Sequence, residues 1–235
     1  ELGAHYTSER NILRAINPLF MDGLRAELAA AGSSRAKLLA LYDRLPTLKI
    51  FDPACGCGNF LVIAYRELRL LENELIDKLF SKGGQSKGLL DIGTQSRVTV
   101  DQFYGLEIDP SAAHIAQVAL WITDHQLNLI TADRFGSTRP SIPLVKSAHI
   151  RQGNALRVDW AEVLAPEQCS FIVGNPPFVG AKYQSAEQRE DVAAVLGGIA
   201  NHGLLDYVAC WHVLAARYMQ ANPQMACALV STNSI

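Results

Sequence analysis

Lys49–Phe60 reads KIFDPACGCGNF. Ile50 and Phe51 have the apolar character of a buried strand's end, Asp52-Pro53-Ala54 breaks that strand, and Gly56 and Gly58 permit a sharp turn before a long amphipathic stretch. A strand, a glycine turn and a helix amino terminus together make a site for a polar small molecule. The first backbone N–H groups of the helix need partners, and glycine lets a ligand approach the chain closely. The rest of the chain is then to be searched for the other walls of that site.

Downstream, the spacing of Leu61, Ala64, Leu68, Leu71 and Leu75 predicts a helix from Asn59 to about Lys82. Ser81–Ser96 is rich in glycine and serine and reads as a surface loop. A second strand, Gln102–Ile108, ends in GLEIDP, where Asp109 as N-cap and Pro110 at the first helical position signal a helix. That helix carries Ile115, Val118, Ala119, Ile122 and Leu129, and Thr131–Val145 is the connector after it. His149–Arg151 is a third strand, ending in Gly153-Asn154-Ala155, and Ser170–Val173 a fourth that runs into GNPPF. Val179–Gly203 has no clear period and reads as a loop with some helix. Leu204, Val208, Trp211, Ala215 and Tyr218 return to helical spacing, and Met225–Val230 closes the order as a fifth strand.

Upstream, a helix begins near Ser8 and uses Leu13, Ile16, Leu19, Phe20 and Leu24, with Pro18 interrupting it. Ser33–Leu45 is a second helix, stopped by Pro46. The expected organisation is therefore a helical segment over 1–47 and an α/β core over 48–235. Strands alternating with helices predict a doubly wound, mostly parallel sheet. Ligands in such sheets sit at the carboxyl ends of the strands. The polar interruptions after Phe51, Ile108, Arg151 and Val173 all fall there, which points to one shared site.

Whole-chain properties narrow the classes. The 235 residues are 49% hydrophobic and 19% charged, an ordinary globular composition. No apolar run approaches the ~20 residues of a membrane span, so no membrane partner is expected. The chain opens ELGAHYTSER, without a methionine or a signal-peptide leader, and ends on what reads as a strand exit, so a piece of a longer polypeptide is expected. Cys55, Cys57, Cys169, Cys210 and Cys227 are odd in number and scattered. Cys55-x-Cys57 is too short for a usual zinc knuckle, so buried free thiols in a reducing cytoplasm are expected and no metal site. A net charge of −2 gives no general affinity for phosphate, so contact with nucleic acid would be local or carried by other parts of a longer protein.

A nicotinamide dinucleotide would require G-x-G-x-x-G and an acidic residue ~20 positions on. Leu61 stands where the third glycine belongs, and Glu72, Glu74 and Asp77 fall inside the helix, so the fingerprint is absent. A cofactor with a ribose but no phosphate fits better. Glu107 has enough lone pairs for both ribose hydroxyls, or else is a solvated carboxylate at a strand end. Asp52 is placed to hold an ammonium group or to cap the helix, and Asn154 to meet a purine edge or make a turn. In Asn175-Pro176-Pro177-Phe178 two prolines remove two backbone donors. The Asn175 oxygen and the Pro176 carbonyl are then available to one amino group, and Phe178 offers a flat face for stacking.

DPACGCGNF, GLEIDP, GNAL and GNPPF, in that order, resemble the motifs of amino-methylating DNA methyltransferases. GAHYTS at Gly3–Ser8 resembles the N-terminal cofactor motif of their gamma subclass. NFLVIAYRELRLLE, VALWITDHQL, LLDYVACWHVLAARYM and ALVSTNSI are similar to MmeI-like (type IIL) single-chain restriction–modification enzymes, and the likeness covers nearly the whole chain. It implies a class I, Rossmann-like methyltransferase fold and S-adenosylmethionine as cofactor. Tyr6 and Thr7 would contact the methionine part and Asp52 its amino group, with Pro53, Ala54, Gly56 and Gly58 lining the pocket. Glu107 would bind the ribose, Ile108 pack on the adenine, and Asn154 with Ala155 read its edge. Asn175, Pro176, Pro177 and Phe178 would be catalytic toward N6 of an adenine flipped from double-stranded DNA, with no metal required. Cys57 stands where serine is commoner, and Asn154 where aspartate is. Methylation of a protein glutamine, or cofactor binding without catalysis, are the alternatives.

Overall fold

The computed structural model describes residues 7–80, 96–135 and 147–232. The Ser81–Ser96 loop, apart from Ser96, and Tyr6 lie outside them. Five strands form one parallel sheet: β1 (Ile50–Asp52), β2 (Phe103–Glu107), β3 (His149–Gln152), β4 (Phe171–Gly174) and β5 (Ala226–Leu229), in the order β3-β2-β1-β4-β5. This is the expected doubly wound sheet, and the order reverses between β1 and β4. KIFDPACGCGNF leaves β1 and GNPPF leaves β4, so the two informative stretches flank the reversal where such sheets bind ligands.

Helices α1 (Glu9–Ile16), α2 (Asp22–Ala31) and α3 (Arg35–Arg44) precede the sheet. Pro18 does not stop the chain; Asn17–Met21 forms a π-helical turn joining α1 to α2. Ile12, Ile16, Met21, Leu38 and Leu41 pack in one core with Ile50, Leu61 and Leu68, so the helical segment and the sheet share their interior. Helix α4 (Asn59–Phe80) buries its leucine face as the spacing predicts.

Helix α5 (Pro110–Phe135) starts as expected, with the Asp109 carboxylate accepting from Ala112 N–H at 2.8 Å. It runs through Thr131–Phe135, which had read as connector. Its inward face also differs from the expectation. Ala113, Ala116, Leu120, Asp124, Leu127 and Thr131 are buried, while Ile115, Val118, Ile122 and Leu129 are exposed. The helix is apolar on two sides, so periodicity alone selects neither. Close approach selects the alanines: a Cβ on Gly58 would sit 3.0 Å from the Ala116 Cβ, which leaves no room for isoleucine.

Helix α4 and helix α5 are joined by a buried polar cluster. Arg69 is fully buried and donates to Tyr65 Oη (2.7 Å), Asp124 Oδ1 (3.1 Å) and Asn128 Oδ1 (3.0 Å). Its Nε lies 3.4 Å from Glu72 Oε2. Glu72 in turn accepts from Ser96 Oγ and from the backbone N–H groups of Arg97 and Val98, fastening the approach to β2. Among the described residues no helix is long and apolar enough to cross a membrane, and no group of side chains could hold a metal ion. All five thiols are free; Cys55, Cys169 and Cys210 are buried, but Cys57 is exposed on the glycine turn.

Candidate active site

The turn after β1 is held by the carboxylates expected to bind a ligand. Asp52 is buried, and its Oδ1 accepts from Ala54 N–H at 2.9 Å. Glu107 ties two motifs together: Oε2 accepts from Gly56 N–H at 2.8 Å and Oε1 from Asp109 N–H at 2.9 Å. One bond on each oxygen leaves each a free lone pair, so the carboxylate is oriented without being used up. Gly56 (φ 53°) and Gly58 (φ 86°) adopt the left-handed backbone that the turn requires. Behind the turn, Trp211 Nε1–H donates to Pro53 C=O at 3.1 Å. Ile108, just past β2, is 53% exposed and presents an apolar face at the same end of the sheet.

Burial, with a smaller contribution from the nearby Glu107 charge, pushes the Asp52 carboxyl up to about 8, although the Ala54 N–H bond pulls it down. The folded form thus holds this proton more tightly than the unfolded chain, whose carboxyl has an ordinary value of 3.8. Stability is therefore lost as pH rises through the interval between those values. No arginine or lysine among the described residues is paired with Asp52 or Glu107. A site with two carboxylates and no resident cation suits a positively charged ligand. Gly174 makes the wall opposite Asp52: a Cβ there would lie 2.5 Å from Asp52 Oδ1.

At the end of β4, Asn175 Nδ2 donates to Thr7 Oγ1 at 2.8 Å, a bond across 168 positions that brings Thr7 to GNPPF. With the nitrogen so engaged, Asn175 Oδ1 is buried and has no hydrogen-bond partner among the described residues. Pro176 is buried, and Pro177 and Phe178 are half-buried. The segment after them is more ordered than its sequence suggests. Asp206 Oδ1 accepts from Val179 and Val208 N–H, and Gln184 Nε2 donates to the carbonyls of Val179 and Leu205. Helix α6 (Ala186–Leu196) begins with a Ser185–Gln188 capping box and buries Asp191, Val192, Val195 and Leu196. Helix α7 is Ala209–Met219; Leu204 lies before it and is 78% exposed, so it takes no part in that helix's apolar face.

Asn154, after β3, is engaged at both ends of its amide. Oδ1 accepts from Leu156 N–H at 2.9 Å, and Nδ2 donates to Asp191 Oδ2 at 3.1 Å. Trp160 Nε1–H donates to Ala155 C=O at 2.8 Å. Thr7, Asp52, Glu107, Asn154 and Asn175 therefore all stand at the carboxyl edge of the sheet. Asp191, which holds Asn154, carries no role in the sequence reading, and Trp211, which holds Pro53, enters it only as part of an apolar helix face. Asp191 shares a helical face with Val192 and Val195, and an acid in such company was the available signal.

Comparison with known proteins settles the family. Residues 28–235 match the model described as the DNA-methyltransferase domain of MmeI. The chain belongs to that family. It is 52% identical to MmeI, the type IIL restriction–modification enzyme solved in complex with DNA, with a TM-score of 0.95 over the whole chain and 31% of the MmeI chain. It is 40% identical over 238 residues to DNA methyltransferase A of Bacillus subtilis, covering all of this chain and 26% of that protein. It is 24% identical over 164 residues to the adenine-specific methyltransferase PglX of Streptomyces coelicolor, covering 59% of this chain and 13% of that protein. The chain thus spans under a third of the length of these relatives. The parallel sheet and its flanking helices are the MmeI methyltransferase-domain fold.

Proposed function

We propose that this chain is the part of a restriction–modification enzyme that transfers a methyl group from S-adenosylmethionine to N6 of an adenine flipped out of double-stranded DNA. The observation that carries the reading is the Asn175 oxygen, a buried acceptor without a partner among the described residues, at the carboxyl end of the strand next to β1. An unpaired buried carbonyl costs roughly 1–3 kcal/mol, so its retention calls for a donor supplied from outside the fold. An exocyclic amine brings two N–H donors, one for Asn175 Oδ1 and one for the rigid Pro176 carbonyl. Both bonds favour a pyramidal nitrogen whose lone pair is free to react. Phe178 supplies a ring for the extruded base, since the amine is unreachable inside a stacked duplex.

Asp52 and Glu107 suit S-adenosylmethionine, which brings an electrophilic methyl on a sulfonium centre together with an ammonium group. Asp52 would hold the ammonium, Glu107 the ribose hydroxyls, Ile108 and Asn154 the purine, and Tyr6 and Thr7 the methionine end. DNA recognition would rest largely on the longer protein, given the chain's net charge of −2.

Tritiated methyl transfer by the full-length protein tests the reading, with an adenine-containing duplex, a duplex lacking adenine and a glutamine peptide as acceptors. Label is expected in the first alone. Label in the peptide would favour glutamine methylation, and cofactor binding without transfer a non-catalytic module.

Asp52 gives the cofactor a pH signature. An ammonium ligand favours the carboxylate, so binding expels the proton that Asp52 carries below about 8. Affinity is expected to climb with pH by up to about tenfold per unit in that range. It should fall again above it, as the ligand's amino group, with a pKa of about 7.7–8.0, loses its own proton. Calorimetric titration in two buffers of different ionisation enthalpy would detect the released proton, and Asp52→Asn should abolish it.

A further inference from the structure

We infer that Asp191 is a positioning residue for the cofactor's purine, fixing the Asn154 amide so that its oxygen, and not its nitrogen, is the group offered to the ligand. The inference rests on the S-adenosylmethionine reading above.

An amide has almost the same shape in its two orientations, but exchanging them turns an acceptor into a donor. At Asn154 the two neighbours decide. Leu156 N–H, a donor, lies 2.9 Å from Oδ1, and Asp191 Oδ2, an acceptor when ionised, lies 3.1 Å from Nδ2. Turning the amide over would set N–H against N–H at one end and oxygen against carboxylate at the other. The oxygen keeps a second lone pair beyond the Leu156 bond, which is what a purine 6-amino group needs.

Asp191 is itself held firmly. It is 3% exposed, accepts from Arg157 Nε at 2.6 Å and from Tyr207 Oη at 2.9 Å, and belongs to a capped helix. Arg157 lies in the turn that Asn154 begins, its N–H donating to Asn154 C=O at 2.9 Å. One carboxylate therefore grips that turn at two points. Because α6 follows GNPPF in the chain, the segment on the side of the reacting amine also braces the side that holds the purine. Asn154 and Asp191 form a reciprocal pair: aspartate at 154 would bring two carboxylates together, and asparagine at 191 would turn a donor toward a donor.

The test is equilibrium binding by the full-length protein of S-adenosylhomocysteine and of its analogue lacking the purine 6-amino group. The wild-type protein is expected to prefer the amino compound by about fivefold, the worth of one neutral hydrogen bond. Asp191→Asn should keep its oxygen on Arg157 and point its nitrogen at Asn154, setting donor against donor and leaving only Leu156 N–H to hold the amide's orientation. The preference should then shrink or vanish. The double variant Asn154→Asp, Asp191→Asn restores a donor facing an acceptor and should restore the preference, even where Asp191→Asn alone is less stable. Equal weakening of both compounds by Asp191→Asn, an unchanged preference, or no preference in the wild type would each overturn the assignment. Failure of the wild-type protein to bind either compound overturns the cofactor reading itself.

Discussion

Replacement of Asn175 by alanine is expected to lower methyl transfer to adenine on the order of 10²–10³-fold, the scale seen when one preorganised hydrogen-bonding group is removed from a reacting centre. Binding of S-adenosylmethionine should weaken far less, through the lost Thr7 bond alone. Asn175 bonds Thr7 through its nitrogen, and its oxygen has no hydrogen-bond partner among the described residues. The loss should therefore fall on the step that uses the amine. Thr7→Val should cost less, because it frees the Asn175 amide to rotate without removing the acceptor. Single-turnover transfer with saturating cofactor and duplex separates these effects from binding. A rate within about tenfold of wild type for Asn175→Ala, or under 1.4 kcal/mol of barrier, would remove the acceptor from the mechanism.

The largest loss of stability is expected from Arg69→Met. The side chain fits the space, but Glu72 and Asp124 lose the guanidinium that they share in a dry interior. Removing one partner of a buried ionic group costs about 3–5 kcal/mol, because the charge left behind is neither solvated nor paired. For a domain of this size that is a fall in Tm of roughly 6–20 °C. Glu72 also holds the backbone at Arg97 and Val98, so protection from hydrogen exchange should drop there as well as along α4. A midpoint shift of only a degree or two by calorimetry would mean that water reaches these carboxylates. Exposed pairs such as Arg151–Glu162 should give no comparable effect on truncation.

Much of the site could be read from local sequence because its parts are local. Asp52, Gly56 and Gly58 lie within one turn, and Asp109-Pro110 announces a helix wherever it packs. The five strands are short apolar or β-branched runs bounded by turn residues. The weakest, HIRQ, is the sheet's edge strand; its residues are mostly exposed and carry little burial signal. The proposed cofactor and the proposed roles of individual residues come from the order of the motifs and their likeness to a family, not from periodicity.

The remaining differences share one cause: the deciding partner is far away in the chain. On α5 two stripes of apolar residues compete, and Gly58, nearly sixty positions earlier, selects the one built on alanine. In Val179–Gly203 the helix is fastened by a buried aspartate whose partners are Asn154, Arg157 and Tyr207, and its apolar company on one face marks it for burial without naming those partners.

By itself, then, the sequence determined a parallel α/β sheet with a glycine turn after its first strand and a proline-locked asparagine after its fourth, since turn chemistry and strand periodicity act over a few residues. Only the tertiary structure decided that Thr7 meets Asn175, that this leaves a buried oxygen unpaired, and that Asp191 stands behind Asn154. Burial and hydrogen-bond pairing are properties of neighbours in space, and these neighbours are brought together by the sheet order.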